Sequence, residues 1–298
     1  MNRRRINEAI KNKISEWMGS ITDDTVRELV KHNSIVSGGS IMNLLTGTHV
    51  KDYDVYFRNK ETASCVAEYY ARKFMEANPE APKVDVREDV IGKAPNMETR
   101  VSIFIKSKGV AGDTPDPDAE EAQEAPEHVE EEKRESKDKE KYRPVFLSSN
   151  AITLSNRIQL IIRFYGEPDE IHKNYDYVHC TNYWTSWNDE LVLRPEALES
   201  ILVKELRYIG SKYPLCSVIR TRKFLKRGWK INAGQYLKML FQVSQLDLTN
   251  IDVMKEQLVG VDSAYFAMLI EALETKKEED PNFTLSSGYL AELIDRIF

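Results

Sequence analysis

At 298 residues, 41% of them hydrophobic and 30% charged, the chain is long enough for two ordinary soluble domains, each with its own core. No apolar run approaches the length of a membrane span, and the basic N-terminal stretch MNRRRINEAIKNKISEWM lacks the apolar core of a secretory signal. Three scattered cysteines, Cys65, Cys180 and Cys216, fit neither a disulfide framework nor a zinc site, so a reducing cytoplasm with no membrane partner is the expected setting.

The net charge of −6 is unevenly placed. Residues 113–132 carry ten acids and no Lys or Arg, and without them the remainder is +4. Such a run reads as a disordered, solvated insert over about 110–141. A second reading is a nucleic-acid mimic that keeps a basic groove shut until substrate displaces it.

In chain order, apolar residues at Ile6, Ile10, Ile14 and Met18, then Val26 and Val30, predict a helical opening to about Lys31. SGGSIMNLLTGTHVKDYDVYFR follows. Gly38 and Gly39 permit a tight turn and close approach of a ligand, Ser40 is a natural N-cap for a helix over roughly Ile41–Leu45, and Gly47 suits a left-handed C-cap. In the strand DYDVYF, Asp52 and Asp54 face one side, Tyr53 and Val55 the other. Two like charges on one face are costly without a cation between them, so the stretch suggests a phosphate cradle beside a metal site.

ETASCVAEYYARKFMEAN predicts a helix ended by Pro79 and Pro82; KVDVRED and TRVSIFIKSKG predict a strand pair before the acidic insert. Beyond it, YRPVFLSSNAITL and RIQLIIRFYG read as two strands, EPDEIHKNY as a short helix and YDYVHCTNYW as a final strand. From Pro195 the pattern is helical: PEALESILVKELRYIGSKY, LCSVIRTRKFLKRGW, AGQYLKMLFQVSQL, DVMKEQL and SAYFAMLIEALE. The expected organisation is α+β: a mixed sheet with helices over 1–190, then an all-helical domain over 191–298.

The combination of a GG[ST] turn, an intervening helix and two acids at alternate strand positions, with eleven residues between Ser40 and Asp52, resembles the DNA-polymerase-β-like nucleotidyltransferase superfamily. The resemblance covers the N-terminal domain well and the helical domain loosely. RFYGEPDEIHKNYDYVHC is further similar to nucleotidyltransferases of bacteriophage genomes, which implies a host-cytoplasmic setting. The resemblance implies two Mg2+ ions, or Mn2+, held by Asp52 and Asp54 for in-line phosphoryl transfer from an NTP such as ATP. It implies that Gly38, Gly39 and Ser40 hold the β- and γ-phosphates with backbone amides, a hydroxyl and the following helix N-terminus.

A third carboxylate is needed on a neighbouring strand, and two are available. Asp176 in NYDYVHC is preferred as catalytic and metal ligand, because it precedes the strand expected to close the domain; Asp85 in KVDVRED is nearer in sequence. His179, at alternate spacing from Tyr177, reads either as a nucleotide contact or acid–base group or as a hydrogen-bonded structural residue; His172 lies nearby. In SVIRTRKFLKRGWKI, Arg220, Lys223 and Arg227 share a helix face, with Val218, Ile219, Phe224 and Leu225 expected to anchor it. The resemblance makes that face a nucleotide-phosphate or acceptor contact; otherwise it is a solvated basic helix. Trp229 and Tyr236 are expected in core packing or base stacking, and Lys204 and Arg207, on the preceding helix, as weaker phosphate contacts.

The function implied is transfer of an NMP from an NTP to an acceptor hydroxyl, in a cleft between the domains, with an RNA 3′ end such as that of tRNA as first acceptor. Rival expectations are a protein hydroxyl as acceptor, synthesis of an oligonucleotide signal, and an inactive nucleotide- or RNA-binding regulator.

Overall fold

The computed structural model describes residues 2–81, 83–91, 98–105, 141–258, 264–280 and 282–297; the acidic stretch 113–132 lies outside them, as does Pro82. The described chain divides into two compact units, one ending at Val203 and the other beginning at Lys204.

In the first unit, the expected helical opening is two helices. α1 (Arg3–Gly19) buries Ile6, Ile10, Ile14 and Trp17 in one stripe. α2 (Asp24–Asn33) restarts behind Asp23, whose carboxylate accepts the amide hydrogens of Thr25 and Val26. The chain then forms β1 (Ser34–Ser37), buried throughout, which has no counterpart in the sequence reading because four residues are too few to show a period.

α3 (Gly39–Thr46) follows directly, capped by Gly38 and closed by left-handed Gly47, whose amide donates to Asn43 O. Ser40 is therefore inside the first turn rather than at the cap. β2 (Tyr53–Phe57) begins one residue after Asp52, and α4 (Lys60–Ala77) starts behind Asn59, whose side chain accepts from Thr62. β3 (Val84–Ile91) and β4 (Glu98–Ile105) pair antiparallel as a two-stranded sheet of their own.

YRPVFLSSNAITL is a hairpin rather than a single strand: β5 (Pro144–Leu147) and β6 (Ala151–Leu154) are joined where Ser148 N and Ala151 O close the turn. β7 (Ile158–Tyr165) and α5 (Pro168–His172) match their expected places. YDYVHCTNYW is mostly not strand. Val178–Cys180 is a 3-10 turn, and the strand is the three-residue β8 (Tyr183–Thr185), paired with β9 (Glu190–Val192).

The main sheet has the order β5-β6-β7-β2-β1-β8-β9. β2 and β7 run parallel, and the other pairs of described strands in this sheet are antiparallel, so the sheet is mixed and the class α+β. One face carries Val36, Val55, Phe57, Leu160 and Ile162 into a core filled from above by α1, α2, α3 and α4. The other face carries Ile35 and Tyr56, packed against Ile171 of α5 with Ile161, Phe164, Tyr175 and Tyr183 around them. α6 (Pro195–Val203) ends the unit, packing on the 3-10 turn. Lys204 stops it: φ is +50, and its carbonyl accepts the Lys230 amide at 2.7 Å while Lys230 O accepts from Leu206. Lys204 and Arg207 are thus off the helix.

The second unit is built from α7 (Pro214–Lys226), α8 (Ala233–Val243), α9 (Ile251–Leu258), α10 (Ala264–Glu279) and α11 (Ser287–Ile297), the last unmarked in the sequence reading. α7 buries Cys216, Ser217, Thr221 and Phe224, and Trp229 packs edge-on against Phe224 at 5.8 Å. Val218 and Leu225, expected as anchors, are 41% and 42% exposed, because the helix turns its small and hydroxylic residues inward instead.

Candidate functional site

The site grows out of the crossing of β1, α3 and β2. Ser37 at the end of β1 stands opposite Asp54 in the antiparallel register. The next residue, Gly38, has φ +87 and ψ −148, a backbone region that L side chains rarely adopt. A Cβ there would meet Asp54 Oδ2 at 3.0 Å and Tyr175 Oη at 3.8 Å, so the turn lies directly against the carboxylate and the phenol. Gly39 has open space around its missing Cβ and requires no glycine on steric grounds.

Asp52 and Asp54 are both half-buried, two residues apart at the start of β2, and Asp52 Oδ1 is shielded from solvent. Ser40, 2% exposed in the first turn of α3, has a hydroxyl oxygen with no hydrogen-bond partner among the described residues. A buried hydroxyl left unsatisfied costs about 1–3 kcal/mol, which a ligand at the helix N-terminus would relieve.

Beneath the turn is a polar cluster that the sequence did not single out. Ser37 Oγ donates to Asn182 O at 3.0 Å and lies 2.9 Å from His172 Nε2. With the serine proton on the carbonyl, the ring donates from Nε2, and Nδ1 is left buried without a partner among the described residues. Burial, with the Arg194 guanidinium adding and Asp169 opposing, pushes this imidazole down to about 4, so it is neutral. Tyr175 packs on His172 with ring centroids 4.9 Å apart and on Tyr56 at 6.0 Å. Burial, then Tyr56 and the Asp54 carboxylate, hold its phenol well above the usual tyrosine range. In the sequence, His172 and Tyr175 stood only within RFYGEPDEIHKNYDYVHC, far along the chain from the acid pair, and Ser37 only as the residue before the glycine pair.

The remaining expected residues are placed elsewhere. Asp176 is buried in the loop before the 3-10 turn, not at the start of a long strand, and Asp85 lies on β3 in the separate two-stranded sheet, bridged to Lys83 at 3.1 Å. Among the described residues no three His, Cys, Asp or Glu side chains gather as a metal site. The residue beside Asp54 on its parallel neighbour strand is Gln159. His179 is fully buried and stacked on Tyr177 with ring centroids 5.9 Å apart, and burial pushes its imidazole down to about 3. Arg220 and Lys223 are half-buried on α7 and Arg227 is its exposed C-cap, all in the second unit. Trp229 is a core residue, while Tyr236 is 39% exposed on α8.

The donors present suit an anion held at a helix N-terminus and a divalent cation held by two carboxylates: the Gly38 cradle is one a Cβ would fill, and Ser40 supplies an orphaned hydroxyl. A glycine turn, a helix N-terminus and an acid-bearing strand are assembled on one mixed sheet, and the class is α+β. The model of the Gabija anti-defense 2 family matches residues 8–204, more than half of the chain, and the chain belongs to that family. A relative, Gabija anti-defense 2 of Bacillus phage SPbetaL7, is 16% identical over 286 residues, covering 95% of this chain and 54% of the relative. The chain thus spans about half the length of the curated relative it matches. Among solved structures it is similar to the Thermotoga maritima CCA-adding enzyme complexed with tRNA, at 12% identity and TM-score 0.36, covering 92% of this chain and 57% of that one. The Bacillus stearothermophilus CCA-adding enzyme in complex with CTP matches at 11% identity and TM-score 0.36, covering 87% and 51%.

Proposed function

We propose that the chain is a metal-dependent nucleotidyltransferase that moves an NMP from an NTP to an acceptor hydroxyl and releases pyrophosphate. The observation that carries this reading is the Gly38 turn pressed against Asp54, with the orphaned Ser40 hydroxyl at the same helix N-terminus. In this reading the amides of Gly38 and Gly39 and the Ser40 hydroxyl bind the triphosphate tail. Asp52 and Asp54 hold divalent cation, which supplies charge neutralisation at the reacting phosphate. The absence of a side chain at Gly38 leaves the Asp54 carboxylate its place beside the turn, and the buried Ser37–His172–Asn182 hydrogen bonds hold the turn in place. Arg220, Lys223 and Arg227 give the second unit a basic helix suited to the phosphates of an acceptor chain.

The first acceptor proposed is an RNA 3′ end. Membership of the Gabija anti-defense 2 family favours a second: a component of the Gabija defence, protein or nucleic acid, modified by nucleotidyl transfer. The test is incubation of the protein with each α-labelled NTP and Mg2+ or Mn2+, in three arms: total RNA, purified Gabija proteins, and no acceptor. Label on RNA supports the first acceptor and label on a Gabija protein the second. A small labelled product in the third arm would replace both with signal synthesis. No turnover in any arm, with intact nucleotide binding, would leave a nucleotide-binding regulator and overturn the enzymatic reading.

A further inference from the structure

The sheet register brings together a polar row that crosses four strands on the face opposite the main core. Ser37 on β1 stands opposite Asp54 on β2, Asp54 beside Gln159 on β7, and Gln159 opposite Thr153 on β6. Residues at matching register positions share a face, with strands about 4.8 Å apart, so Ser37 on one side and Gln159 on the other are the register neighbours of Asp54. The assignment of faces is fixed independently by the next rung: Val55, Leu160 and Ile152, one position on in each strand, all point into the main core. Gln159 is half-buried, and its side chain makes no hydrogen bond to a described residue, while Thr153 below it is 4% exposed. A half-buried amide in line with the acid of the site keeps its donors and its acceptor open to solvent, and so to a ligand.

The chemistry of that position is informative. Chemistry with two cations needs more carboxylate than one pair, yet the neighbouring strand supplies a neutral amide, and no three-ligand acidic group exists among the described residues. An amide offers one acceptor and two donors, which suits a hydroxyl or a phosphate oxygen better than it suits a cation.

We propose that Gln159 is a ligand-contacting residue of the site, its amide hydrogen-bonding the bound phosphate or acceptor hydroxyl beside Asp54, and that the Asp52–Asp54 pair therefore takes one divalent cation per chain. The inference rests on the proposed nucleotidyl-transfer site and specifies its ligand set. It divides the labour of the site: charge neutralisation from the acid pair, orientation of the incoming group from the amide.

The test is Mn2+ binding to the full chain, followed by the paramagnetic resonance of free Mn2+, with the parent, Asp54→Asn, Gln159→Glu and Gln159→Met. Sites that bind Mn2+ through other acids are removed by comparing each protein with Asp54→Asn. The expected result is one Asp54-dependent Mn2+ in the parent, and in Gln159→Glu either a second or an affinity at least tenfold higher. Gln159→Met, of similar volume, keeps the parent's Mn2+ site and loses at least fivefold in affinity for a non-hydrolysable NTP analogue. Two Asp54-dependent ions in the parent, unchanged Mn2+ binding in Gln159→Glu, or unchanged analogue affinity in Gln159→Met would each overturn the proposal. Loss of no Mn2+ in Asp54→Asn would instead overturn the underlying site. Melting curves of all four proteins separate these outcomes from misfolding.

Discussion

A methyl group at Gly38 would sit 3.0 Å from Asp54 Oδ2 on a backbone at φ +87, whereas one at Gly39 would meet nothing within 4 Å. The two glycines, equal in the sequence, therefore have unequal roles. Gly38→Ala is expected to cost about 1–3 kcal/mol of stability from backbone strain and to weaken triphosphate binding at least tenfold. Gly39→Ala should leave both within error, as calorimetry and urea unfolding would show. The buried histidines set a pH dependence. Both are neutral in the fold and ionise more easily when unfolded, so their folded pKa values, about 4 for His172 and about 3 for His179, lie below the unfolded value. Their contribution is intact above pH ~6.5 and is lost as pH falls through the window down to about 4 and about 3. For His172 the loss amounts to roughly 3 kcal/mol. Urea unfolding between pH 7 and 4 should show this decline, and His172→Gln should make it shallower; an unaltered slope would contradict the burial argument.

The elements that announced themselves in the sequence are those whose own pattern fixes them. The Ile6–Ile10–Ile14 stripe of α1 and the Gly47 stop of α3 each act within one element. Gly47→Ala, which loses the left-handed cap at φ +72, should cost about 1 kcal/mol in unfolding experiments. The elements that escaped are held by partners remote in sequence. β1 and β8 are strands because Val36 pairs with Val55 on one side and Trp184 on the other. α6 ends at Val203 because Lys204 pairs with Lys230, twenty-six residues on, not because its own pattern fades. On α7 the spacing of Arg220, Lys223 and Arg227 was legible, but the buried stripe of Cys216, Ser217, Thr221 and Phe224 was not, since small and hydroxylic residues carry weak hydropathy. If the basic face meets a nucleic-acid backbone, Lys223→Gln with Arg227→Gln should reduce the slope of log affinity against log salt by about 2 in RNA binding. An unchanged slope would assign the face to solvent.

At the scale of the molecule, the acid pair and its glycine turn were legible because they sit in one continuous stretch, while the polar row through Gln159 was not. That row exists only once β2 and β7, about a hundred residues apart, are paired in parallel. Of the two acids weighed as a third carboxylate, Asp176 lies in the loop before the 3-10 turn and Asp85 on the separate two-stranded ribbon, positions that local pattern alone did not reveal. The most direct measurement is simultaneous quantification of pyrophosphate released and nucleotide incorporated, for the parent and for Asp54→Asn of equal melting temperature. One pyrophosphate per nucleotide transferred, falling at least a hundredfold in Asp54→Asn, is the predicted result. Transfer that persists undiminished in Asp54→Asn would contradict the assignment of the chemistry to this strand.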